Sequence, residues 1–155
     1  MFQKILLTLF FLCLSFSVSL AEKNATTLGF SLGGNHLTGL HFETYNRQHS
    51  YKFDIGTWNF QDISIGNQIK LYFKYLETSF YTGSGISFHL VFNNGFGYFV
   101  SLNLPLGIEW SLNNNSALGI GLETHYTLST GSIISHPLFD KKFSIIPCFY
   151  YKIQW

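Results

Sequence analysis

The chain has 155 residues, a formal charge of +1 at pH 7, 11% charged residues and 19% aromatic residues. That charge content lies far below the roughly 25% of soluble domains, and it carries no basic excess of the kind a nucleic-acid partner requires. Beyond Ala21 no apolar run is long enough for a membrane-spanning helix, which excludes a helical membrane protein.

The chain opens with a short segment bearing one positive charge, Met1 to Lys4, followed by an apolar run from Ile5 to Leu20. Ser19-Leu20-Ala21 then offers small residues at the two positions a signal peptidase reads, so residues 1–21 are expected to be a secretory signal peptide cleaved after Ala21. Residues 22–155 are expected to form one domain. Loss of Lys4 with the leader leaves that domain formally neutral, and with Cys148 as its one cysteine it has no internal disulfide framework.

Turn-forming clusters divide the domain into eight pieces: Gly33-Gly34-Asn35-His36, Asn46-Arg47-Gln48-His49, Gln61-Asp62, Glu77-Thr78-Ser79, Asn93-Asn94-Gly95, Asn113-Asn114-Asn115 and the longer Ser129 to Lys142. Each piece is rich in aromatic and β-branched residues, and each alternates at period two, so each predicts a strand with one apolar and one polar face. In chain order the apolar rows are Leu28-Phe30-Leu32; Leu40-Phe42; Tyr51-Phe53-Ile55; Ile65-Ile69-Leu71-Phe73-Tyr75; Phe80-Ile86-Phe88-Leu90; the row from Tyr98 to Trp110; Leu118-Ile120-Leu122-Tyr126-Leu128; and Phe143 to Trp155. Asn67 and Ser84 interrupt these rows. Trp58, Tyr72, Tyr81, Phe99 and Tyr150 fall on the opposite face, where a narrow barrel needs bulk to fill it.

Eight charges lie within the strands: Glu43, Lys52, Asp54, Lys70, Lys74, Glu109, Glu123 and Lys152. All are in phase with the polar row, and the two signs balance. A base facing lipid at mid-bilayer would cost about 2–4 kcal/mol, whereas a neutral set enclosed together can pair. The expectation is therefore an all-β fold: an eight-stranded antiparallel up-and-down transmembrane β-barrel, with these charges and His125 as an interior network. A soluble barrel of lipocalin type would reverse the two faces, and alternation alone does not separate the two. The aromatics favour the membrane: Tyr51, Tyr75, Phe80, Trp110 and Trp155 all stand at strand ends that would share one rim, as an interfacial girdle does.

The leader, the eight strands and the closing strand Phe149-x-Tyr151-x-Ile153-x-Trp155 resemble small bacterial outer-membrane barrels of the OmpA/OmpX type. Leu32-Gly33-Gly34-Asn35-His36-Leu37-Thr38-Gly39-Leu40, Tyr81-Thr82-Gly83-Ser84-Gly85 and Leu104-Pro105-Leu106-Gly107-Ile108-Glu109-Trp110 are similar to elements of small spirochaete barrels. The resemblance implies a bacterial outer-membrane location, outer-membrane lipid as surroundings, and Phe149, Tyr151, Ile153 and Trp155 as the signal read by the barrel-assembly machinery. The chain ends in Trp where that class usually ends in Phe.

Catalytic and metal sites are weakly indicated. Glu123 and His125 share the inner phase and, with Ser87, Ser101 or Ser144, would supply the parts of a hydrolase triad; a hydrogen-bonded filling of the lumen is the simpler reading. The His-x-Ser-Asn element of lipid A deacylases is absent, and so is the His, Asp and Ser set of a palmitoyltransferase. The six histidines have no spacing that converges on a metal ion, His41, Glu43 and His89 being the nearest approach to one, so neither a metal nor a cofactor is expected. Cys148 reads as packing. Gly83-x-Gly85 and Gly119-x-Gly121 lack the helix a phosphate loop needs and instead make room inside the barrel.

An even strand count places both termini on one side, expected to be the periplasm. The connections after strands 1, 3, 5 and 7 then face outside, and Ser129–Lys142, with its apolar centre, is the segment expected to meet any extracellular ligand. The expected function is a structural or surface-interaction barrel that is not an enzyme, with a narrow pore or a lipid-modifying enzyme as alternatives.

Overall fold

The computed structural model describes residues 25–75, 77–92, 96–131 and 142–155, without the side chains of Lys74 and Tyr75. The expected leader and residues 132–141 of the Ser129–Lys142 segment lie outside the described residues.

The described residues form eight strands: β1 (Thr26–Gly33), β2 (His36–Asn46), β3 (His49–Thr57), β4 (Asp62–Tyr75), β5 (Thr78–Val91), β6 (Gly97–Asn113), β7 (Ser116–Gly131) and β8 (Phe143–Gln154). Each pairs antiparallel with the next, and β8 returns to β1, closing the barrel. Closure leaves no strand edge unpaired, which a sheet surrounded by lipid requires. One end of the barrel carries both ends of the described chain and the turns β2–β3, β4–β5 and β6–β7; we call it the terminal end. The other, the loop end, carries the remaining connections.

The direction of the two faces decides between the membrane barrel and its soluble counterpart. Leu40, Phe42, Ile69, Phe73, Leu106 and Ile153 are each about half exposed, whereas Glu43 and Asp54 are fully buried in the lumen. The apolar rows point outward and the charges inward, the inverse of a lipocalin. Asn67 stands on the outer face, where it accepts a hydrogen bond from Tyr51 at 2.6 Å, and Ser84 is exposed. Trp58, Tyr72, Tyr81, Phe99 and Tyr150 are all buried inside. Register places Tyr51, Tyr75, Phe80, Trp110 and Trp155 near the terminal end.

The first connection shares the loop end with those after β3, β5 and β7, but it folds into the lumen, and the side chains of Asn35 and His36 are 1% exposed. Gly33 (φ 81°) and Gly34 (φ 77°) make the inward bend in the left-handed region, and a register shift follows Leu32. Gly34 N–H donates to the carbonyl of Pro147 at 3.1 Å. A methyl at Gly33 would stand 2.0 Å from that same oxygen, so the position admits no side chain.

Candidate functional site

The inward faces of all eight strands build the lumen, and its contents fall into layers. Nearest the terminal end, Lys152 on β8 contacts Glu109 on β6 and lies 3.3 Å from Glu43 on β2. Glu43 also receives Lys70 at 3.3 Å, the Ser50 hydroxyl at 2.5 Å and the Tyr72 hydroxyl at 2.8 Å. The Tyr150 hydroxyl donates to Glu109 at 2.9 Å, and Tyr45 contacts Lys152. Tyr72, Tyr81 and Tyr150 pack together beside these charges, and Lys70 Nζ sits 4.6 Å from the Tyr81 ring centre. A cation over an aromatic face in a dry site is favoured electrostatically, so the tyrosines contribute to holding the lysines as well as filling space. Below this layer a cavity of about 120 Å³, with Glu109, Lys152, Tyr45 and Thr27 in its wall, opens at the terminal end.

The middle layer is a second ionic group. Lys52 lies 3.4 Å from Asp54 and 3.7 Å from Glu123, and Gln68 donates to Glu123 at 3.0 Å. His125 Nε2 is 3.7 Å from Glu123. Seven of the eight expected strand charges are thus placed in the lumen in two groups. The side chain of Lys74, the eighth, is not described, and its backbone pairs with Ser79.

Above this layer the chemistry changes. Asn35 stands across the lumen, donating to Asp54 at 3.0 Å and accepting from the Ser87 hydroxyl at 2.6 Å and from the Asn103 amide at 2.8 Å. Ser101 in turn donates to Asn103 at 3.1 Å. The indole N–H of Trp58 donates to the Asn35 carbonyl at 3.0 Å, and Trp58, Val91, Phe99 and Ile146 close the loop end as an apolar cluster. His89 stacks on Phe99 with ring centres 4.2 Å apart.

These positions bear directly on the catalytic candidates. Ser87 and Ser101 donate to Asn35 and Asn103, and Ser144 is the register partner of His125 on β8. A different Ser–His–Asp set emerges that sequence reading missed: Ser31 Oγ lies 2.7 Å from His36 Nε2, and His36 Nδ1 lies 3.6 Å from Asp54. It was missed because His36 reads as a turn residue with no strand phase. Its ring fills the space that side chains at Gly39 and Gly56 would occupy, 2.3 and 2.4 Å from their ideal Cβ positions. Ser31, His36 and Asp54 are all buried, and the ring is clamped between strands, so a substrate carbonyl has no approach to the hydroxyl. The set holds the inward turn in place. His41 meets Tyr150 edge to face at 5.7 Å, in a layer apart from His89, and among the described residues no three His, Cys, Asp or Glu side chains are grouped to hold a metal. Cys148 is a buried free thiol.

The closed barrel, the apolar outer wall and the charged lumen together define a small eight-stranded barrel of outer-membrane type. No protein-family model and no curated protein matches the chain. Among solved structures it is similar to the N-terminal β-barrel domain of Pseudomonas aeruginosa OprF, with a TM-score of 0.71 at 10% identity, covering 86% of this chain and 98% of that one. It is also similar to Neisserial surface protein A, NspA, with a TM-score of 0.54 at 13% identity, covering 84% of this chain and 94% of that one. At these identities the likeness is one of fold.

Proposed function

We propose that the protein is an integral barrel of the bacterial outer membrane with a closed, charge-paired interior, serving a structural or surface-interaction role without enzymatic activity. The observation that carries this reading is the orientation of the two faces. Leu40 and Ile69 are more than half exposed, as only a lipid neighbour would favour, while Glu43 and Asp54 are fully enclosed. Both termini then lie in the periplasm, and Phe149, Tyr151, Ile153 and Trp155 are offered to the assembly machinery as the closing strand's outer row. Any extracellular ligand meets the loop end, where the β7–β8 connection, within the Ser129–Lys142 segment, is the longest; Ser129 to Gly131 themselves still belong to β7.

The interior network supports a barrel that does not conduct. Two ionic groups, a layer of bonded amides and an apolar cluster follow one another along the bore, and an eight-stranded barrel has room for little else. Two measurements test the reading. The detergent-solubilised protein should migrate differently on gels before and after boiling, and in planar bilayers it should show conductance near zero. Solubility without detergent and unchanged migration would refute the membrane barrel. Steady ion conductance would replace the closed interior with a narrow pore.

A further inference from the structure

Three phenylalanines at the loop end have no place in the lumen or on the strand faces. Phe60 in the β3–β4 connection is 84% exposed, the most exposed large apolar side chain among the described residues, and Phe92 and Phe96 flank the β5–β6 connection, 49% and 56% exposed. The last two rings stand 5.9 Å apart, and Phe92 N–H donates to the carbonyl of Gln61 at 2.7 Å, joining the two connections.

Phe60 is presented by a built structure. Its backbone is at φ 61°, a region a bulky residue seldom occupies. Four local bonds hold it there: Asp62 accepts from the Thr57 hydroxyl at 2.9 Å and from the N–H groups of Trp58 at 2.8 Å and Asn59 at 3.2 Å, and Phe60 N–H donates to Thr57 at 2.9 Å. Gln61 N–H is likewise bonded, to Asn59 at 2.9 Å. A loop whose backbone donors are met internally is suited to a medium poor in water, and one that displays its largest ring to water is not. The connection itself carries no charge, only the exposed amides Asn59 and Gln61, and Asp62, the first residue of β4, is buried by these bonds. The turns at the terminal end differ in charge, carrying Arg47 and Glu77, whereas the polar residues of the β3–β4 and β5–β6 connections, Asn59, Gln61, Asn93 and Asn94, are all neutral. Phe60 is also continuous with the lipid-facing wall through Ile63, 42% exposed, which follows it on β4.

We propose that Phe60, Phe92 and Phe96 form a wedge that inserts into the interfacial region of the outer leaflet, so that the β3–β4 connection lies in the membrane surface instead of projecting from it. The proposal rests on the membrane-barrel reading. Aromatic rings favour the level of the lipid headgroups, and a wedge on one side of the rim fixes the depth of β3 to β6 and the tilt of the barrel.

The test uses the full mature chain folded into phosphatidylcholine vesicles, with a polarity-sensitive fluorophore attached to single cysteines in a Cys148→Ala background. Phe60→Cys and Phe96→Cys report on the wedge, Leu104→Cys on the middle of the lipid wall, and Asn114→Cys on water at the terminal end. Folding of each variant is checked by the gel shift; should Cys148→Ala fold poorly, the buried native thiol is left in place and labelling is done on the folded barrel. Positions 60 and 96 should emit to the blue of position 114 and be quenched more strongly by a spin label at the lipid phosphate than by one deep in the acyl chain. Emission and quenching at 60 and 96 equal to those at 114, with position 104 quenched by the deep label, would overturn the wedge and leave those rings to a soluble partner. Absence of quenching at 104 would overturn the membrane reading and the wedge with it.

Discussion

The two halves of the lumen solve one packing problem by different chemistry. Toward the terminal end, Glu43, Glu109, Lys70 and Lys152 hold the strands by charge, with tyrosine rings around them. Toward the loop end, Asn35, Ser87, Asn103 and Trp58 hold them by hydrogen bonds among neutral groups, tied through Asn35 to the Asp54 carboxylate, under an apolar lid. An ionic group enclosed in a barrel survives only if every charge keeps its partner, so it is strong as a set and fragile to a single loss. A neutral network is worth less per bond, and its failure is more local.

That contrast is open to being broken. Glu43→Ala leaves Lys70 and Lys152 without their shared carboxylate, and stability should fall by about 3–5 kcal/mol, read from urea unfolding in lipid vesicles followed by tryptophan fluorescence; a loss no greater than that of an outward substitution would dissolve the ionic layer as a stabilising unit. Asn35→Ala strips partners from Asp54, Ser87 and Asn103 together and should lower stability by about 2–3 kcal/mol in the same assay. Asn35→Asp should be more damaging than Asn35→Ala despite keeping the shape, because it brings a second carboxylate against Asp54; equal effects would mean that the upper layer tolerates charge as well as the lower one. Trp58→Phe removes one bond to Asn35 while keeping the ring and should cost about 1 kcal/mol. The finest comparison is a double-mutant cycle between Glu43→Gln and Asn35→Ala. Their partners do not overlap, so the coupling should stay under about 0.5 kcal/mol, and a larger value would join the two halves into one cooperative network.

The ionic half was legible in the sequence and the neutral half largely was not. Glu43, Lys70, Glu109 and Lys152 sit on strands, where period two assigns each a face, and a lipid-facing charge is so costly that phase follows almost directly. The same rule placed Tyr72, Tyr81 and Tyr150. Asn35 and His36 lie in a Gly-Gly-Asn-His cluster, whose composition signals a turn but not whether the turn projects or folds inward. Register carries the missing information. β1 pairs with β8 only as far as Gly33 and Cys148, whereas β8 runs on to Phe143 beside β7, so the first hairpin ends below the rim of its neighbours. No composition rule reports that offset. The Ser31–His36–Asp54 set was hidden by the same turn.

Closure of the barrel depends on its two most distant staves. The β1–β8 seam has seven register pairs, from Thr27 with Gln154 to Gly33 with Cys148, the fewest of any neighbouring strands among the described residues. It also joins opposite ends of the chain, the pairing that loop-closure entropy makes slowest to form. Lys152 is on β8 and its carboxylates are on β2 and β6, and Gly34 beyond β1 is bonded to Pro147 on β8. The interior therefore acts as a latch across the seam, and a barrel that has curled but not yet locked would differ from the finished one chiefly in whether Lys152 has found Glu43.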